Sequence, residues 1–264
     1  MAVLIITFFV IGLSFGSFLN CLVYRLANKK TILGRSYCPH CKHQLSWQEN
    51  IPVFSFIFLK GRCRHCHKKI SWQYPIGELI MGILFILPLR EFLSPGVFLF
   101  SPFFILNVLT EWTLYFGLIF IFIFDLKYML VSDKVVIPVI VLIFVLKLIT
   151  FSLNHQEFLP QFFHLSLAIL LGVLFFALQY LITRGKGIGL GDLRIGALAG
   201  VIFGQWQMLC LAIILSYLIG SLVCLGLIAV KQKKFKSYVP LGPFLVVGIF
   251  ITYFFGEMII NWYF

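Results

Sequence analysis

The chain has 264 residues, 61% of them hydrophobic and only 11% charged, with a mean hydropathy of +1.03 and a formal net charge of +12. Apolar runs of membrane-spanning length recur along it, which excludes a soluble globular domain and indicates an all-α polytopic membrane protein. The positive balance follows membrane topology along the chain, so no nucleic-acid partner is expected.

In chain order, eight spans are predicted near 2–23, 75–93, 108–125, 134–153, 163–183, 189–206, 207–230 and 241–262. The first run, from Ala2 to Tyr24, lacks a basic leading region and a small-residue cleavage site, so it reads as a retained span and not a signal peptide. Between spans one and two lies the main hydrophilic region, 24–74, which holds ten Lys/Arg. If the N-terminus is outside, nineteen of the twenty-one basic residues fall inside, which makes 24–74 a cytoplasmic domain. The exceptions, Arg90 and Lys147, are expected to snorkel at outer span ends. Segment 92–111 is apolar but interrupted by two prolines, and is expected to be an outer interfacial or re-entrant piece. No internal repeat is evident. The division is therefore a first span (1–23), a loop domain (24–74) and a seven-span region (75–264).

The loop contains two C-x-x-C pairs, Cys38/Cys41 and Cys63/Cys66, with twenty-one residues between them. A cytoplasmic location keeps thiols reduced, and four thiolates at this spacing close a tetrahedral structural Zn²⁺ site with no open position. Metal binding also supplies folding energy to a small basic loop with little core. His40, His43, His65 and His67 are potential competing ligands, expected to be solvated. Cys21, Cys210 and Cys224 lie in apolar spans and are expected to be inert.

Only three aspartates occur, Asp125, Asp133 and Asp192. A carboxylate at membrane depth costs about 2.5 kcal/mol or more, so such acids tend to mark function. Asp125 ends the third span and Asp192 opens the sixth, at similar depth on one side. Gly196, Gly200 and Gly204 follow Asp192 at intervals of four, a small-residue row that directs it into the protein interior. The preceding GKGIGLG is too glycine-rich for firm helix and reads as a flexible or re-entrant entry. Two carboxylates sharing a site do not both ionise easily; the ionised one deprotonates water and the protonated one polarises a peptide carbonyl. A structural ion pair or helix cap is the bland alternative. Lys127 and Arg194, each at i+2 from an acid, need not neutralise it and are expected to anchor to lipid phosphates. Asp133, just before span four, reads as an N-cap or as support for the paired acids. An ion-coupled transporter is the main alternative from another class, since membrane carboxylates also relay protons.

These motifs resemble the type IV prepilin peptidases, bifunctional leader peptidases and N-methyltransferases of the GxGD aspartic class. The resemblance rests on GSFLNCLVYRL (Gly16 to Leu26), the paired C-x-x-C loop, SWQYPIGEL with Glu78, DLKYMLVSD, GLGDLR (Gly189 to Arg194) and PLGPF (Pro240 to Phe244). It implies that Asp125 and Asp192 are catalytic, with Asp133, Gly189 and Gly191 in support. Val131-Ser132 and Arg194 depart from the family pattern. The implied reaction is removal of a basic leader from prepilins or pseudopilins at the cytoplasmic boundary of a prokaryotic inner membrane. N-methylation with S-adenosylmethionine is implied too, with Glu78 the candidate contact; a helix-start acid favoured by the macrodipole is the plain alternative. No strand–GxGxxG–helix unit supports a nucleotide fold.

Overall fold

A computed structural model of the chain describes residues 1–93, 101–154, 158–231 and 239–263. These residues form helices and loops, divided into two compact units, 1–120 and 121–264. The helices are α1 (Ala2–Ala27), α2 (Phe54–Phe58), α3 (Gln73–Ile86), α4 (Pro102–Tyr128), α5 (Asp133–Leu153), α6 (Phe158–Thr183), α7 (Leu190–Phe203), α8 (Trp206–Ala229) and α9 (Gly242–Tyr263). Among the described residues six are long and apolar enough to cross a membrane: α1, α4, α5, α6, α8 and α9. The protein is therefore a multi-pass membrane protein.

The other two expected spans are shorter. Helices α3 and α7 have 14 residues each, about 21 Å of rise, against a hydrocarbon core of about 30 Å. Pro88 accounts for the first, because α3 passes at Ile86 into the 3₁₀ turn Leu87–Leu93 just before it. Gly204 accounts for the second: it takes the left-handed conformation (φ 66°) and its N–H returns to the Gly200 carbonyl at 2.9 Å. Gly204 thus stops α7 and does not extend the packing row expected of it. Helix α4, in contrast, starts earlier than expected, at Pro102. Proline suits a first helical position, and Ser101 Oγ accepts the Phe104 N–H at 3.2 Å. The part of 92–111 from residue 102 onward is therefore helix continuous with the span; 94–100 lie outside the described residues.

In unit 1, α1 and α3 pack backbone to backbone. A methyl group at Gly12 would stand 2.5 Å from the Met81 carbonyl oxygen, and one at Gly16 would stand 2.6 Å from Glu78 Cα. The Gly-x-x-x-Gly spacing of α1 therefore sets this contact. Arg90 does not snorkel. It pairs at 2.9 Å with the buried Glu111, whose other oxygen accepts the Tyr115 hydroxyl at 2.6 Å.

In unit 2, α7 lies against α6 through glycine. A Cβ on Gly196 would collide with the Gly172 carbonyl, and one on Gly200 would lie 2.6 Å from the Ala168 carbonyl oxygen. Both ends of α7 are satisfied by charge. Asp192 sits in its first turn, and Lys147 of α5 donates to the Ile202 carbonyl at 2.5 Å in its last. Lys147 is thus a helix-end partner and not a snorkelling residue.

Candidate active site

Asp125 lies in the last turn of α4, buried at 6% exposure. Its own helix presents a negative dipole end there, which disfavours a carboxylate. The first residue of α9 offsets this: the Gly242 N–H donates to Asp125 Oδ2 at 2.8 Å. Such first-turn amides have no partner within their own helix, and the positive end of α9 faces the acid. A Cβ at residue 242 would stand 2.5 Å from Oδ2 and 3.1 Å from Asp125 Cβ, so a side chain there would displace the carboxylate.

Asp192 is held by the same kind of group. Its Oδ2 accepts the Gly189 N–H at 3.0 Å while its own N–H donates to the Gly189 carbonyl at 3.1 Å, a reciprocal box at the start of α7. The Asp192 carboxylate is within electrostatic reach of Asp125. On α8 the Tyr217 hydroxyl, within electrostatic reach of the same carboxylate, donates to Gln179 Oε1 of α6 at 2.8 Å. One backbone N–H therefore fixes one oxygen of each acid. Among the described residues no other hydrogen bond occupies either carboxylate.

The loop between α4 and α5 closes onto the start of α7. A Cβ on Gly191 would lie 2.7 Å from Val131 Cβ, so glycine there admits the valine side chain. Gly189 differs: its backbone is extended (φ −87°), and an added Cβ would meet Asp192 Oδ2 only at an ordinary 3.9 Å. Asp133 is not the N-cap. Ser132 holds that position, and Asp133, in the first turn of α5, pairs with Arg194 at 2.6 Å. Arg194 accordingly has a protein partner for its charge in Asp133. Gly242 and Tyr217 were not identified from sequence; the only traces were PLGPF and a lone phenol in the apolar run of α8.

In unit 1 the four expected sulfurs meet. Cys38, Cys41, Cys63 and Cys66 place their Sγ atoms within 4.8 Å of one another, with Cys38–Cys66 at 3.9 Å and Cys41–Cys63 at 4.0 Å. A tetrahedral Zn²⁺ with bonds of about 2.3 Å has sulfur–sulfur edges of about 3.8 Å, so the set fits a metal ion. The amides of Cys66 and His65 hold the Cys63 thiol down at about 7. Cys41 receives the His43 amide, yet burial and the three other sulfurs push it up to about 11. Thiols crowded this way ionise together only around a cation. Cys21, Cys210 and Cys224 are not in this group.

The two cysteine pairs are a repeat, contrary to the expectation of none. YCPHCKHQLSWQ (37–48) and RCRHCHKKISWQ (62–73) share Cys, His, Cys, Ser, Trp and Gln at equal positions. Their backbones match too: Cys38 N–H to His43 O and Cys63 N–H to Lys68 O are both 2.9 Å, and Lys42 and His67 both take positive φ. All four loop histidines are exposed; His43 stacks on His65 at 3.4 Å between ring centroids, beside Glu49. The Ser46 amide and hydroxyl, each 2.9 Å from Glu49 Oε2, hold that carboxyl below its ordinary value.

Glu78 is not a first-turn acid. It lies in the second turn of α3, buried, and accepts the N–H of Val53 at 2.7 Å; Ser17 adjoins its carboxylate. Val53 carries the positive φ of 64°, so Glu78 holds a strained loop residue. Nearby on α1, Asn20 donates to the Tyr74 carbonyl at 3.1 Å, while its buried Oδ1 has no partner among the described residues.

Two carboxylates at helix ends in a multi-pass helical protein suit a membrane peptidase. Residues 10–92 match the bacterial peptidase A24 N-terminal domain, and residues 112–225 match the type IV leader peptidase family. The chain is 30% identical to a prepilin leader peptidase/N-methyltransferase of Aeromonas hydrophila, over 97% of this chain and 92% of the relative. The corresponding protein of Legionella pneumophila is 30% identical (96% and 91%), and that of Bacillus subtilis 29% identical (97% and 96%). No solved structure matches. The chain belongs to the type IV leader peptidase family.

Proposed function

We propose that the chain cleaves the basic leader of type IV prepilins or pseudopilins and then methylates the new N-terminus, with Asp125 and Asp192 as the acid–base pair of the cleavage. The observation that carries this reading is that each acid is fixed through one oxygen by a helix-start N–H, with the two within electrostatic reach. The ionised carboxylate takes a proton from water as the hydroxide attacks the scissile carbonyl, and the protonated carboxyl hydrogen-bonds the developing oxyanion. Collapse of the tetrahedral species returns a proton to the leaving amine. The pair titrates as a unit.

Asp133 supports the site through Arg194, which ties the start of α5 to the start of α7. Gly191 and Gly189 support it through close approach and a backbone donor. The exposed non-helical turn at 184–189 is the proposed entry for an extended peptide. The N-terminus lies outside and the loop domain 24–74 in the cytoplasm, as its ten Lys/Arg favour. Its four cysteines hold a structural Zn²⁺.

For methyl transfer, the buried Glu78 and the unpartnered Asn20 Oδ1 offer acceptors suited to a cationic sulfonium or amine. S-adenosylmethionine supplies the methyl group when bound. The test is co-expression with a type IV prepilin and mass measurement of the product's N-terminus. The expected product has lost its leader and gained one methyl group. An intact precursor beside properly inserted enzyme contradicts the peptidase reading, and a cut but unmethylated product contradicts the second half.

A further inference from the structure

Unit 1 contains a cavity of about 490 Å³ whose lining includes Tyr24, Lys30, Arg35, Tyr37 and Lys42. Three of these are cations, none is an acid, and among the described residues no ion pair engages them. Loop 24–74 has one acid in all, Glu49.

The cavity is built from ordered parts. Arg25, 5% exposed, donates to the carbonyls of Thr31, Ile32, Gly34 (2.7 Å) and Arg35 (3.1 Å), which fixes the turn that carries Arg35. Lys30 donates to the hydroxyls of Tyr37 at 2.7 Å and Tyr24 at 3.4 Å. The Tyr37 hydroxyl beside it holds the Lys30 ammonium above the ordinary lysine range. Lys42 belongs to the first cysteine knuckle, its N–H held by the Cys38 carbonyl at 2.9 Å. One wall of the cavity is therefore the metal knuckle and the other is the end of α1.

Depth identifies the occupant. Helix α1 has 26 residues, about 39 Å, against a hydrocarbon core of about 30 Å. Tyr24 stands in its last turn, where the headgroup layer begins. We propose that this cavity binds the phosphate of an anionic phospholipid headgroup and clamps the first cysteine knuckle to the membrane surface. Several cations and two phenols around one opening suit the spread oxygens of a phosphodiester better than a single carboxylate from an acidic peptide.

The test uses the full chain with its metal bound, in mixed micelles of phosphatidylglycerol and phosphatidylcholine, with retained lipid counted by native mass spectrometry. The expected result is a preference for phosphatidylglycerol that falls about tenfold in Lys30→Gln/Arg35→Gln/Lys42→Gln. The equal charge change Arg64→Gln/Lys68→Gln/Lys69→Gln, outside the cavity lining, should preserve it. Equal losses in the two triples would overturn the site in favour of diffuse charge. Displacement by millimolar inorganic phosphate would assign the cavity to a free anion instead. Unchanged lipid retention in the cavity triple, with a raised KM for an acidic peptide substrate, would assign it to peptide. If the triple loses its metal, Arg35→Glu, which lies outside both knuckles, gives the same reading alone.

Discussion

At the scale of the residue, the site depends on two backbone donors, and glycine matters differently at each. Gly242→Ala places a methyl on Asp125 Oδ2, so cleavage should fall by more than about tenfold while helical circular dichroism stays unchanged. Gly189 gives only its N–H, so Gly189→Ala should stay within about twofold of wild type in an initial-rate assay, whereas Gly189→Pro, which deletes the donor, should not. Equal loss in Ala and Pro would contradict that role. Asp125 and Asp192 became candidates because three aspartates in a chain this apolar stand out. Gly242 was not, since its partner lies 117 residues away and no local pattern connects them. Of the two readings of Asp133, cap or support, the cap fails because Ser132 holds that position, and the partner Arg194 was hidden by its distance in sequence.

At the scale of the element, α7 is short and stapled at both ends. Lys147→Met removes the cation from its C-terminus and should cost about 1–2 kcal/mol, seen as a lower Tm of the detergent-solubilised chain. An unchanged Tm would mean that the Ile202 carbonyl finds another donor. Gly196→Leu should be more damaging, because α6 leaves no room for a side chain there. Arg194→Gln, by contrast, breaks a half-exposed pair and should change Tm little. Long apolar helices were readable from composition alone. The lengths of α3 and α7 were not, because hydropathy counts apolar residues and does not register where Pro88 or a left-handed Gly204 ends a helix. The knuckle repeat was missed for another reason: only half its positions coincide, and its regularity lies in backbone hydrogen bonds.

At the scale of the whole molecule, two kinds of chemistry occupy two units. The metal loop should hold one Zn²⁺ per chain by elemental analysis. Cys63→Ser should empty it and expose 24–74 to limited proteolysis, since this loop has little other core; retained stoichiometry would contradict a four-thiolate site. The central claim concerns unit 2, that Asp125 and Asp192 act as one device. Its most direct measurement is the rate of leader cleavage by Asp125→Asn, Asp192→Asn and the double variant at equal membrane abundance. Groups that work as a unit give non-additive losses, so each single variant should fall to background and the double should be no worse. A single variant that keeps cleavage within about tenfold of wild type, or a double whose loss is the product of two partial ones, would contradict the account.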